Sequence, residues 1–161
     1  MKQSLLIFAC ASVLLAACGG QESTPAANGS APAVAGGKGS ISEDRSAAFK
    51  SFMPTMSKMG KMAKGDEAFS PEAFQAAAEQ FSKEARVPFE HFQNDPNGNG
   101  DALPNIWANP EAFKAEQDKF LTAVDKLNEV AKTGKLEDIK TAFGNVGASC
   151  QSCHDTYRRP K

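Results

Sequence analysis

The chain has 161 residues, 41% of them apolar, which suits one domain with appendages and falls short of a membrane protein. Its formal net charge of -1 offers no basic surface for nucleic acid. Phe occurs 11 times, Tyr and Trp once each, and the β-branched residues are sparse beside Ala, Lys, Glu and Met, a balance that favours helix over sheet.

The first segment reads as an export signal. Lys2 supplies a positive start, and Leu5 to Leu15 supply an apolar core of signal length rather than of membrane-span length. The run Leu15-Ala16-Ala17-Cys18 resembles a bacterial lipobox. That resemblance implies cleavage before Cys18, acylation of its thiol and a membrane anchor there. The other reading is ordinary cleavage nearby, with Cys18 left as a free thiol. Gly19 stands where Asp would signal inner-membrane retention, so the expectation is an exported protein on the periplasmic side, anchored to the outer membrane. Loss of residues 1–17 removes Lys2 and Cys10 and leaves a formal charge of -2. Residues 18–40 are rich in Gly, Ala, Ser and Pro. They cannot bury enough surface to offset their ordering entropy and are expected to form a flexible tether. The globular part is expected over 41–161.

Helical periodicity fills that part, without strand alternation. Ser42, Glu43 and Asp44 mark a helix start, and Phe49, Phe52, Met56, Met59 and Ala63 recur at steps of three and four until Gly65. Pro54 lies inside this helix and should bend it. Ser70-Pro71-Glu72 opens a second helix with a cap, a Pro and an early acid. Phe74, Ala78, Phe81 and Ala85 line its inner face; Pro88 disturbs its last turns, and Phe89 and Phe92 end it. Residues 93–105 hold much Asn, Asp, Gly and Pro and form the long loop, able to cross one end of the domain. Asn109-Pro110-Glu111 starts a third helix with the stripe Phe113, Phe120, Val124, Leu127 and Ala131, which Gly134 ends. The fourth begins near Lys135. Its stripe of Leu136, Ile139, Phe143, Val146, Cys150, Cys153 and Tyr157 runs in alternating steps of three and four, placing both cysteines on core positions. The expected fold is all-α, an antiparallel four-helix bundle.

The chemistry lies in Cys150-Gln151-Ser152-Cys153-His154. Two thiols one helical turn apart reach the two vinyl groups of a haem, and the adjacent imidazole supplies an axial nitrogen to iron. Three other readings fit the residues less well. A thioredoxin-like redox pair belongs to a βαβ setting and the start of a helix. A zinc site needs further ligands, for which His91 or a carboxylate would have to serve. A disulfide across this spacing would be strained within a helix. One covalent haem c is therefore the expected cofactor, with Phe and Met as adaptable lining.

With this motif near its C-terminal end, the sequence resembles the cytochrome c′ family, the class II c-type cytochromes, from about Arg45 to Arg158. The resemblance is strongest in Ile106-Trp107, in Asn109-Pro110 and in Ala142-Phe143-Gly144-Asn145-Val146-Gly147. Met59-Gly60-Lys61-Met62-Ala63-Lys64-Gly65 matches the end of the family's first helix, whereas Pro54 and the methionines fit it less closely. By position, the resemblance makes His154 the proximal ligand, Arg45 the partner of the haem propionates, Phe49 the apolar shield over a vacant sixth position and Arg158 the proximal-side arginine. Family members are commonly dimers through their first two helices, which implies a homodimer here.

An apolar, crowded iron site favours small neutral gases. Phe49 offers no hydrogen bond to bound O₂, so the expected ligand is nitric oxide, with NO tolerance as the role. The rival is a low-spin electron carrier with an axial Met from among Met53, Met56, Met59 and Met62, working with an unidentified redox partner. A third class, peroxidase or NO reductase, would need a distal acid or base. The matched region has none, and His91 is expected at the surface, so no enzymatic activity is expected.

Overall fold

The computed structural model describes residues 37–160. The signal at 1–17, the Cys18 anchor and the tether up to residue 36 lie outside the described residues. Among the described residues there are six α-helices: α1 (Ser40–Ser51), α2 (Met53–Lys64), α3 (Pro71–Glu84), α4 (Asn105–Ala108), α5 (Pro110–Ala131) and α6 (Leu136–Tyr157), with a 3₁₀ turn at Val87–His91. None is long and apolar enough to cross a membrane. Among the described residues the only extended pairings are the single bridges Lys38–Asn99 and Ala102–Arg158.

The four expected limbs are present, as an antiparallel four-helix bundle. The limbs α2, α3, α5 and α6 close a ring, each packing on the next and α6 on α2. Their apolar stripes meet inside it, where Met59, Phe74, Phe81, Val124, Leu127, Ile139 and Val146 are fully buried. Burial of such side chains, at about 1.5–3 kcal/mol each, is the main drive for the bundle. Both cap-Pro-acid signals act as read: Ser70 Oγ accepts the Ala73 N–H at 3.2 Å, and Asn109 Oδ1 accepts the Ala112 N–H at 3.4 Å.

Two boundaries differ from the sequence reading. The first helix is broken rather than bent. Pro54 has no N–H to offer the carbonyl of Lys50, so α1 stops at Ser51, Phe52 takes φ −90° and ψ −5°, and α2 restarts with Pro54 in its first turn. The folded part also begins before residue 41. Gly39 N–H donates to the Gly98 carbonyl at 3.1 Å, and Gly100 N–H to the Gly37 carbonyl at 2.8 Å. Gly39, not Ser42, caps α1, while the Ser42 hydroxyl donates to the Gly39 carbonyl at 2.9 Å.

The long loop crosses one end of the bundle. It meets the first turn of α1 on one side and the last turn of α6 on the other, where Leu103 N–H donates to the Tyr157 carbonyl at 2.9 Å and Arg159 N–H to the Asp101 carbonyl at 2.8 Å. At this end the helices diverge, and a second apolar cluster forms around Ile106, Phe113 and Tyr157.

Candidate functional site

The divergence of α1 from α6 leaves a cavity of about 570 Å³. Cys150, Cys153 and His154 line it from α6, and Tyr157 and Arg158 from the end of that helix. Arg45, Phe49 and Phe52 line it from α1, and Met53 and Met56 from α2. Phe89 and Phe92 close the side between them. All six residues singled out in the folded chain, Arg45, Phe49, Cys150, Cys153, His154 and Arg158, thus meet at one cavity. The seventh, Cys18, lies outside the described residues.

The cysteines are half-buried, Cys150 packed against the bundle core and Cys153 against the second apolar cluster. Their seam continues that of Ile139 and Val146 and ends at the cavity they line. No disulfide joins them. Burial pushes the Cys150 thiol above its usual pKa, and burial, with Glu116 nearby, pushes Cys153 up to about 11. A redox pair needs the opposite shift. Among the described residues no three His, Cys, Asp or Glu side chains converge as metal donors.

The raised thiol pKa has a measurable consequence for the haem-free chain. The proton on Cys153 is bound more tightly in the folded than in the unfolded state. Its contribution to stability is complete below pH 9.0 and is lost as pH rises through about 11. Alkylation of Cys153 should follow the same titration, with a midpoint near 11 instead of 9.0. A midpoint at or below 9.0, read by mass spectrometry across pH, would contradict this burial.

Phe49 is set by its aromatic neighbours. Its ring meets Phe52, Phe89 and Phe92 edge-on, with centroids 5.9, 6.1 and 6.2 Å away. Such contacts contribute about 0.5–1.5 kcal/mol each beyond area burial. Arg45 is 5% exposed, yet it is no unpaired charge. Nη1 donates to the His91 carbonyl at 2.8 Å, Nη2 donates to the Asn99 carbonyl at 2.7 Å, and the guanidinium lies 4.9 Å over the Phe92 ring. Burial lowers its pKa, and the charge of Asp95 opposes that shift. His91 is half-buried at the end of the 3₁₀ turn and serves through its backbone, not as a cavity-lining imidazole. Arg158 caps α6, its N–H donating to the His154 carbonyl at 3.1 Å.

The methionines divide. Met59 and Met62 are buried in the bundle core, whereas Met53 and Met56 line the cavity. Asp95, which the sequence reading passed over inside the loop, is 1% exposed and binds the first turn of α1. Only its place among turn residues marked it, and that pattern predicts a loop rather than a buried carboxylate.

Two thiols and an imidazole on one helix, facing an apolar cavity with two arginines at its margin, suit a covalently held planar macrocycle with acidic edges. Comparison with known proteins agrees. The family model described as Cytochrome C′ matches residues 40–158. The chain belongs to the cytochrome c′ family.

It is 36% identical over 104 residues to a cytochrome c′ of Alcaligenes xylosoxydans xylosoxydans, covering 65% of this chain and 81% of that one. It is 30% identical over 119 residues to a cytochrome c-556 of Agrobacterium tumefaciens, covering 74% and 97%. A nitric oxide complex of a cytochrome c prime mutant from Alcaligenes xylosoxidans superposes with a TM-score of 0.71 at 32% identity, over 75% of this chain and 94% of that one. As a cytochrome c′ the chain is a haem c protein. These donors fit that group: Cys150 and Cys153 would hold it covalently, His154 would supply the axial nitrogen, Arg45 would face its charged edge, and Arg158 would stand on the His154 side.

Proposed function

We propose that this cytochrome c′ binds nitric oxide at a five-coordinate haem iron and contributes to NO tolerance, without acting as an enzyme. The observation that carries this reading is Phe49. It lines the same cavity as His154 and is wedged among Phe52, Phe89 and Phe92. Haem c, when bound, supplies an iron able to take a small neutral ligand. The protein supplies selection: a crowded apolar wall excludes bulky ligands and lends O₂ no hydrogen bond, whereas NO requires none. A solved relative, the Alcaligenes xylosoxidans cytochrome c prime mutant, is a nitric oxide complex, which supports the same ligand class. Ferric and ferrous absorption spectra of the purified protein, recorded with and without NO, test it. A five-coordinate, high-spin resting state that converts on adding NO is expected. A six-coordinate, low-spin ferric spectrum would remove it.

The second reading is a low-spin electron carrier. Met53 and Met56 both line the cavity, and one relative is a cytochrome c-556. That low-spin spectrum is its signature, and replacement of the ligating methionine would convert it to high spin.

We place this protein on the periplasmic side, held to the outer membrane through Cys18. The run Leu15-Ala16-Ala17-Cys18 and the Gly at position 19 support this. Cys18→Ser should move essentially all of the protein from the membrane to the soluble fraction and abolish labelling by a fatty acid. Retention at the membrane would count against the anchor.

A further inference from the structure

One buried carboxylate joins the helix that carries Arg45 to one of the residues that receive it. Asp95 Oδ2 accepts the Ser42 N–H at 3.0 Å, and Oδ1 accepts the Asn97 N–H at 3.0 Å. Ser42 and Arg45 share the buried face of α1, one turn apart. On the loop side, Asp95 N–H donates to Asn99 Oδ1 at 2.9 Å, and the backbone carbonyl of that same Asn99 receives Arg45 Nη2 at 2.7 Å. Asp95 therefore ties the helix that carries the guanidinium to the loop that receives it. The fit is close: a Cβ on Gly39 would lie 2.1 Å from Asp95 Oδ1, so only glycine leaves the carboxylate its place.

We propose that Asp95 is a positioning residue for Arg45, holding its guanidinium at the cavity margin against the haem propionates and so setting the reduction potential. This rests on the reading in which Arg45 meets a propionate. A cation there offsets the anionic edge of the haem. Displacing it leaves that negative charge uncompensated, favours ferric iron and lowers the potential. The charge of Asp95 acting directly would do the reverse, because removing an anion raises the potential. The sign of the shift therefore separates positioning from simple charge.

The test is redox titration of the holoprotein for the parent, Arg45→Gln, Asp95→Asn and Gly39→Ala. Arg45→Gln, which removes the cation, should lower the potential. Asp95→Asn should lower it too, although it removes a negative charge. Gly39→Ala, which alters no charge but displaces the carboxylate, should do the same. The double variant Arg45→Gln/Asp95→Asn should fall no further than Arg45→Gln alone. In the diamagnetic ferrous carbon monoxide form, the Arg45 Nε–H resonance should shift and lose exchange protection in both Asp95→Asn and Gly39→Ala. A stable Asp95→Asn protein whose potential rises or stays put, while Arg45→Gln lowers it, overturns the role of Asp95 alone. An unmoved potential in Arg45→Gln overturns the placement of Arg45 and this inference with it. Should Gly39→Ala fail to fold, Asp95→Asn decides by the sign of its shift.

Discussion

Cys150→Ser/Cys153→Ser should carry no covalent haem at all. A serine hydroxyl does not add to a vinyl group under conditions where a thiol does, so both attachment points vanish. The measurement is haem staining after denaturing electrophoresis, which should fall from full to nil. Single variants divide the roles. Cys150→Ser or Cys153→Ser keeps one thioether, so reduced staining remains. His154→Ala keeps both thiols and the stain but loses the axial nitrogen, and shows itself in the spectrum. Stability should fall as well. The cavity of about 570 Å³ is lined by aromatic rings that would lose their central partner. Loss of the group that fills this space should lower the midpoint of denaturant unfolding. Staining that survives in the double variant would refute the assignment of the motif.

Phe49→Ala should raise the affinity for carbon monoxide and nitric oxide by roughly 10²-fold while lowering stability. On the five-coordinate reading, the Phe49 ring occupies space that a bound gas must share. Steric exclusion of a small group in an apolar pocket is worth about 1–3 kcal/mol, or roughly 10- to 200-fold. The same ring makes three edge-on contacts, to Phe52, Phe89 and Phe92. Losing them should cost about 3 kcal/mol, at the lower end for Phe→Ala because the position is only half-buried. The two effects have opposite signs for function and fold, so a general loosening of the protein cannot imitate them. Equilibrium gas titration beside urea unfolding measures both. Unchanged gas affinity at reduced stability would show that Phe49 is packing alone.

Much of this was legible in the residue order. Phe74, Ala78, Phe81 and Ala85 follow the helical period and are all buried, because a helix can hide only one stripe and the stripe is written locally. Ser70-Pro71 and Asn109-Pro110 mark helix starts for an equally local reason, since the cap oxygen and the N–H it receives are three residues apart. Cys150, Cys153 and His154 belong to the same class: their mutual geometry is one turn of one helix.

What escaped the residue order depends on contacts between distant segments. Asp95 reads as a turn residue, and only its pairing with Ser42, 53 positions earlier, makes it a buried helix anchor. Arg45 on an apolar seam suggests a charge awaiting an anion. The fold adds the carbonyls of His91 and Asn99, 46 and 54 positions away, which fix the guanidinium in place. Pro54 announces a disturbance, and the fold shows it as a break, with Phe52 at φ −90° and ψ −5° between the two helices. The methionines look equivalent along the chain, and the bundle alone sends Met59 to the core and Met56 to the cavity. The sequence by itself determined the helices, their inner faces and the haem-binding motif, since each depends on neighbours within a turn or two. Only the tertiary structure decided which residues surround the cavity and what holds Arg45 there, because helix divergence and loop closure set those distances.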